Sequence, residues 1–279
     1  MAAVDVTVIV PTFRRPAQLV EALRSALTQE GVSLEVSVLD DSPEGSAREA
    51  IDSVGDVRVA YTKRATPSLG RPAVVRNEGW PLARGRYIHF LDDDDLVVPG
   101  AYRAHVEALD ANLRAAMSFG RIEPFGEDAA AIARERAFWD RAGRRARRAS
   151  RLGRLAHLAM VATILFDEPL FQNSACMVRK STLEGTGGFD PLMPVQEDAE
   201  LHVRGIRRHG CVFLDRTVIR YRVNANSLMR SDDMQTKVLE SYARMRRKYR
   251  DEHGAAELAA LKLVGRGGAI LGRMLPARA

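Results

Sequence analysis

The sequence predicts an α/β protein: a mostly parallel sheet flanked by helices, with a helical C-terminal extension. Three observations carry this. Short β-branched runs recur at similar spacing through the first third of the chain, helical patterns separate them, and four consecutive aspartates, Asp92 to Asp95, follow directly on the fourth run. Strands that alternate with helices in this way pair in parallel, because the helices then cover the faces of the sheet.

The elements follow in order. Val4 to Val10 and Leu34 to Leu39 read as strands, with Val57 to Thr62 and Tyr87 to Leu91 after them. Pro16 to Gln29 reads as a helix, since proline suits a first turn and Leu19, Leu23, Ala26 and Leu27 share one face. Pro72 to Ala83 is a second helix candidate. In such sheets ligands bind beyond the carboxyl ends of the strands. Three segments fall there: Pro11-Thr12-Phe13-Arg14-Arg15, Asp40-Asp41-Ser42, and the aspartate run.

Each segment has a rationale in a nucleotide site. Phe13 can cover the face of a base, and Asp40 can accept a hydrogen bond from a ring N–H, which uracil and thymine offer and cytosine does not. Carboxylates packed as closely as Asp92 to Asp95 repel one another, so a divalent cation that also takes phosphate oxygens is the natural occupant. Taken singly, each segment also reads as plain packing or capping; their joint order favours function. The first glycine is Gly31, past the first strand-to-helix turn. No glycine-rich phosphate loop is therefore available there, which argues against dinucleotide enzymes and P-loop proteins.

With 279 residues, 46% hydrophobic and 28% charged, the chain can bury one large core. Two cysteines, Cys176 and Cys211, imply no disulfide framework and a reducing compartment. The start, Met1-Ala2-Ala3-Val4-Asp5, lacks a signal-peptide pattern, and no apolar run approaches the roughly 20 residues that span a bilayer. A cytoplasmic protein is expected, with room for association with the inner face of the membrane.

The net charge of +6 is concentrated. Nine arginines between Arg134 and Arg154 face two acids, Glu135 and Asp140, and a second basic stretch runs from Arg244 to Arg250. Such patches suit a solvated face or an anionic membrane surface. Interleaved aromatics are sparse, so nucleic acid is not expected as a partner. Leu155 to Phe166 is too short to span a membrane and reads either as an interfacial segment or as a core helix packing through Leu155, Leu158, Ala162 and Leu165. In the tail, Leu258, Leu261, Val264 and Leu271 make a weak amphipathic stripe.

The joint motif order resembles the family 2 inverting glycosyltransferases of the GT-A fold. The resemblance rests on Val8-Ile9-Val10-Pro11-Thr12-Phe13-Arg14-Arg15, Val38-Leu39-Asp40-Asp41-Ser42, Arg76-Asn77-Glu78-Gly79 and Tyr87 through Asp95, then Gly187-Gly188-Phe189-Asp190 and Gln196-Glu197-Asp198. It implies sugar transfer from a nucleotide diphosphate donor, UDP- or dTDP-linked, to a glycan or lipid-linked acceptor in surface polysaccharide or glycoconjugate synthesis, with Mg2+ or Mn2+. It also implies a catalytic domain over 1–228, divided into a nucleotide-binding half 1–125, a basic and apolar helical insertion 127–166 and an acceptor half 167–228, before a helical tail over 229–279.

Carried over residue by residue, the resemblance makes Pro11, Thr12, Phe13 and Arg15 the base-binding segment and Asp40 the reader of the pyrimidine. Arg71 or Arg76 faces the diphosphate. Asp92 and Asp93 correspond to donor-contacting positions and Asp94 to the principal metal ligand. Asp198 corresponds to the general base, beside Glu197, with Gly188, Phe189 and Asp190 lining the acceptor side. Where many members add a histidine to the metal, this chain has Asn224 and Asn226. Two alternatives stand beside this reading: a non-catalytic nucleotide-sugar-binding protein of a membrane-peripheral assembly, and a metal-dependent nucleotidyltransferase.

Overall fold

The computed structural model describes residues 3–224 and 233–274. The first half runs β1 (Val6–Thr12), α1 (Pro16–Leu27), β2 (Leu34–Asp40), α2 (Arg48–Val54), β3 (Val59–Lys63), α3 (Pro72–Gly79), a short 3-10 turn (Trp80–Leu82), β4 (Tyr87–Phe90), β5 (Leu96–Val97) and α4 (Ala101–Ala111). The second half runs β6 (Met117–Phe125), α5 (Ala129–Ser150), α6 (Ala156–Phe166), β7 (Cys176–Arg179), α7 (Lys180–Thr186), α8 (Glu197–His209), β8 (Cys211–Arg222), α9 (Met234–His253) and α10 (Ala255–Met274). The strands form one eight-stranded sheet in the order β3-β2-β1-β4-β7-β6-β8-β5.

Strand β1 pairs in parallel with β2 and β4, and β2 with β3. The apolar residues of β1, β2 and β4 are buried on both faces, as a helix-covered parallel sheet requires, while the edge strand β3 is only partly covered. The second half mixes directions. Strand β7 is antiparallel to both β4 and β6, and β8 is parallel to β6. Because β7 reverses twice, β4 and β6 point the same way. The carboxyl ends of β1, β2, β4, β6 and β8 therefore open on one edge.

Helix α1 buries Leu19, Ala22, Leu23, Ala26 and Leu27, the face read from its spacing. Helix α5, 22 residues long, spans about 33 Å at 1.5 Å per residue and lies on the domain through Ala131, Ala142, Gly143, Ala146 and Ala149. Helix α6 is a core element. Its buried face is Met160, Val161, Ala162, Ile164 and Leu165, while Leu155, expected to pack, is exposed. Met245 and Tyr249 of α9 and Leu261 of α10 belong to the same core, so the tail is docked on the domain. Of the predicted tail stripe, Leu261 is buried, Val264 is exposed, and the side chain of Leu271 lies outside the described residues. Among the described residues no helix is long and apolar enough to cross a membrane.

Candidate active site

The aspartate run leaves β4 with alternating burial, so Asp92 and Asp94 face the open edge while Asp93 and Asp95 turn inward. Each carboxylate has its own partners. Asp93 accepts from Thr12 Oγ1 (2.8 Å) and Arg15 (3.2 Å), and Asp94 accepts from Arg15 (2.8 Å) and Asn224 Nδ2 (2.8 Å). Asp95 is fully buried and receives the Arg222 N–H (3.0 Å) and Gln172 Nε2 (3.2 Å); burial first and the charges of Asp94 and Asp92 next push its pKa well above the usual carboxylate range. Thr12 and Arg15 of the first strand end thus hold the fourth. Asn224 sits against Asp94, and Asn226 lies outside the described residues.

Arg76 joins the two halves. It is buried, and its guanidinium donates to Asp92 Oδ1 (2.6 Å) and to Glu197 Oε1 (2.6 Å), fastening the aspartate run to the first turn of α8. That leaves Arg71, which is exposed, donates through Nε to Ser68 O (3.1 Å) and makes no ion pair among the described residues. Of the two arginines considered for a diphosphate, Arg71 is the accessible one. Next to Glu197, Asp198 accepts the Ala199 N–H (2.8 Å); burial first and the charge of Glu197 second push its pKa up to about 7. Acidic residues at this helix start also suit the helix dipole.

Three non-glycine residues among those described adopt positive φ: Arg14 (56°), Leu69 (59°) and Gln196 (57°). All three lie in loops at this edge, after β1, before α3 and directly before Glu197. Backbone strain gathered in one place marks a site held in shape by its surroundings.

The arrangement fits a divalent cation. Burial and the charges of Asp92 and Asp93 raise the Asp94 pKa to about 6, a shortage of positive charge that a cation would relieve. Among the described residues no three His, Cys, Asp or Glu side chains gather as a ready-made metal cage. The chain would then supply one or two carboxylates and a diphosphate the remaining oxygens.

The family model for glycosyl transferase family 2 matches residues 7–179, more than half of the chain. The chain belongs to glycosyl transferase family 2. Among curated relatives, the succinoglycan biosynthesis protein ExoO of Rhizobium meliloti is 38% identical over 107 residues, 38% of this chain and 30% of that protein. A GalNAc(5)-diNAcBac-PP-undecaprenol beta-1,3-glucosyltransferase of Campylobacter jejuni is 34% identical over 97 residues, 34% of this chain and 31% of that protein. The matched stretch is thus about a third of each relative's length. Two solved structures share the fold. S. aureus TarS 1–349 with UDP-GlcNAc has a TM-score of 0.65 at 16% identity, over 95% of this chain and 71% of that one. Mannosyltransferase PcManGT from Pyrobaculum calidifontis, in complex with GDP-Man and Mn2+, has a TM-score of 0.57 at 16% identity, over 96% and 82%.

Several residues expected to touch ligands in this family 2 chain are placed otherwise. Asp40 is 0% exposed, and all four of its lone-pair positions are taken by the Ser42 N–H and Oγ, the Ala47 N–H and the Tyr61 hydroxyl. It holds the loop after β2 and has no acceptor left for a base. Phe13, in contrast, is 47% exposed and open to one, and Pro11 precedes it in β1, only partly buried. Phe189 is buried edge-on against Phe90 (4.8 Å), so it supports the acceptor loop from below instead of lining it. Gly188 lies so close to α3 that a Cβ would come within 2.2 Å of Asn77 Oδ1 and 2.5 Å of Trp80 Nε1. Asn77 in turn bonds the Phe189 backbone twice, at 2.8 Å each way.

The least expected part is α9. Asp190 accepts from Arg244 (3.0 Å) and Lys248 (3.0 Å); burial alone would raise its pKa, but these bonds and the Leu192 N–H hold it down at about 2. Lys248 also reaches Glu200 (2.5 Å), and Ser241 Oγ accepts the Val195 N–H (3.2 Å). Tyr242 is half-buried within electrostatic reach of Asp198. Within the basic stretch from 244 to 250, read from sequence as a surface patch, Arg244 and Lys248 serve this contact and Arg246 donates to Leu165 O (3.3 Å) of α6, while Arg247 and Arg250 are exposed. Its only sequence signal was Ser241, Arg244 and Lys248 at helical spacing. A cavity of about 430 Å³ lined by Arg114, His157, Arg179 and Arg208 lies at the opposite edge, among the starts of β6 and β8, away from the aspartates.

Proposed function

We propose that this chain is a metal-dependent inverting glycosyltransferase that moves a sugar from a UDP- or dTDP-linked donor to a glycan or lipid-linked acceptor in surface polysaccharide or glycoconjugate synthesis, working in the cytoplasm. The observation that carries the reading is the double ion pair of Arg76, which sets Asp92 and Glu197 on two sides of one cleft. A carboxylate run suited to a metal diphosphate then faces a carboxylate suited to take a proton.

In the reaction, an acceptor hydroxyl attacks the anomeric carbon from the Asp198 side. Asp198 accepts the hydroxyl proton as the new C–O bond forms. The bond between the anomeric carbon and the diphosphate oxygen breaks, and the diphosphate leaves with the electron pair. A pKa near 7 suits this base, because a large share of the carboxyl is ionised near neutral pH while the carboxylate is still basic enough to take the proton. Phe13 would cover the base and Arg71 would meet the diphosphate. A divalent cation, Mg2+ or Mn2+, held by Asp94 with Asp92 beside it, would supply the charge that makes the diphosphate a good leaving group.

Support for the donor and metal comes from TarS, which binds UDP-GlcNAc, and PcManGT, solved with GDP-Man and Mn2+. Support for the acceptor class comes from the undecaprenol-linked substrate in the name of the Campylobacter relative. A purely binding protein has no use for Asp198, a buried carboxylate kept near pH 7 at a cost in stability.

Thermal stabilisation by a panel of nucleotide sugars, with and without Mn2+, tests the reading. UDP or dTDP sugars should stabilise the wild-type protein only with metal, and Asp94→Asn should abolish the effect. Equal stabilisation of that variant, or stabilisation independent of metal, would overturn it.

A further inference from the structure

Helix α5 carries arginines paired to the domain and arginines that are not, and of the latter Arg136, also exposed, lies on a different side of the helix from the other five. Arg145 pairs with Asp167 (2.9 Å) and Glu168 (2.5 Å), and Arg147 pairs with Asp215 (2.5 Å), so both hold the helix to the domain. Arg134, Arg141, Arg144, Arg148 and Arg151 are all exposed, and among the described residues none of the five makes an ion pair. At 3.6 residues per turn these five fall within roughly a third of the circumference. They form one straight stripe along the whole helix, between the two paired arginines. Where α5 ends, Leu152 and Leu155 are 53% and 61% exposed.

We propose that this stripe is a docking face for an anionic lipid bilayer, with α5 lying flat on the headgroups and Leu152 and Leu155 dipping into the acyl boundary. Charge complementarity selects the partner: five exposed guanidiniums on one line match a sheet of phosphates, with Arg141 also bonding Ala137 O (3.0 Å) and lying within electrostatic reach of Glu168. The leucines separate a bilayer from a nucleic acid, because they add apolar contact that a phosphate backbone cannot use. Phe138 and Trp139, the aromatics of the helix, meet edge to face at 4.7 Å, and Trp139 lies edge-on to Tyr221 (6.4 Å), so both half-buried rings are engaged within the protein and lie off the arginine line on which bases would stack.

Topology gives the contact a purpose. Strand β6 ends at Phe125, paired with Arg222, and the Arg222 N–H reaches Asp95. Helix α5 starts directly after that strand end. The Arg134 end of the stripe therefore lies beside the open edge of the sheet, while Leu152 and Leu155, next to His157, lie toward the opposite edge; a bilayer along the whole helix reaches the open edge where α5 starts, and there an acceptor carried by a lipid would be within reach. The docking face itself stands whether or not the active-site reading does.

Co-sedimentation of the full chain with phosphatidylcholine vesicles, and with vesicles containing phosphatidylglycerol, tests it. Binding should require the anionic lipid and weaken as salt rises. Replacing Arg134, Arg141, Arg144, Arg148 and Arg151 by glutamine should cut partitioning by at least about 100-fold, with an unchanged melting temperature. Leu152→Ser with Leu155→Ser should weaken binding several-fold while its salt dependence persists. The proposal is overturned if wild type ignores anionic vesicles, if the five-glutamine variant binds them as wild type does, or if single-stranded RNA binds the stripe more tightly and displaces the vesicles.

Discussion

On the proposed sugar-donor side of the site, Thr12, Arg15, Asp92, Asp93 and Asp94 come from the ends of β1 and β4, which are neighbours in a parallel sheet. On the acceptor side, Val195, Asp190 and Glu200 are held by Ser241, Arg244 and Lys248, 46 to 58 residues further along the chain. Strand ends in a parallel sheet are fixed by the ladder, so the donor side draws first on its own motifs, with Asn224 and the Arg222 N–H closing the aspartate run from the end of β8. The acceptor loop has no ladder of its own and borrows rigidity from a docked helix. One side can therefore stay constant around a diphosphate while a separable helix shapes the other to its acceptor.

The largest expected effect separates the sides by chemistry. Asp198→Asn should lower turnover by roughly 10²–10⁴-fold, the usual share of a positioned base, with sugar-donor affinity unchanged. Wild-type kcat/KM should fall as pH drops below about 7, as Asp198 takes a proton. Stability has the opposite sign. A carboxyl raised in the folded state favours folding at low pH and loses that contribution as pH rises toward 7. The metal-free variant should thus become more stable than wild type by roughly 1 kcal/mol or more between pH 4 and 7, which melting curves at several pH values would reveal. A matching loss of nucleotide affinity would move Asp198 to the donor side.

Arg76 tests whether the sides are joined. Arg76→Met leaves Asp92 and Glu197 facing each other without their shared cation, and breaking such a buried pair costs about 3–5 kcal/mol. Denaturant unfolding should show it, and both nucleotide binding and turnover should suffer. Loss confined to one side would mean that the cleft halves are held independently.

The donor side was largely legible in the sequence because its signals are local. Apolar runs ending in Pro11-Thr12-Phe13 and in the aspartates sit where β1 and β4 end. Less legible were the side chains whose partners are remote. Asp40 is saturated partly by Ala47 and Tyr61, 7 and 21 residues away, and nothing in Asp40-Asp41-Ser42 announces them. Strand β7 has only four residues, too few for a periodicity, yet it sets the direction of the second half of the sheet. Helix α9 read as basic surface because charge alone does not distinguish a solvated arginine from one that reaches Asp190.

Lys248 sharpens the claim that the acceptor side is borrowed. Lys248→Met removes one of two cations from Asp190 and one from Glu200, which keeps Arg204 (2.8 Å). Because the lysine is partly exposed, the loss should be modest, about 1 kcal/mol. Turnover should drop with nucleotide affinity intact. If affinity for the nucleoside diphosphate fell instead, α9 would belong to the donor side and the contrast would fail.

Asn224 gives the smallest effect and probes the donor side alone. Its Nδ2 donates to Asp94 Oδ2 at 2.8 Å, the position from which a further metal ligand would approach. An amide NH2 pointed at the carboxylate satisfies Asp94 but offers a cation nothing, whereas a neutral imidazole nitrogen is a good ligand for Mn2+ and a weak one for Mg2+. Asn224→His should tighten Mn2+ several-fold in the presence of nucleoside diphosphate, with a smaller gain for Mg2+, read by metal titration of the thermal midpoint. The gain should appear only above the histidine pKa, near 6.5 in solution, since the protonated ring repels the cation. Asp198→Asn in the same background should leave that gain untouched, because the two positions serve opposite sides of the cleft. An equal gain for both metals would mean that the imidazole acts by freeing Asp94 from its hydrogen bond and not by binding the cation itself.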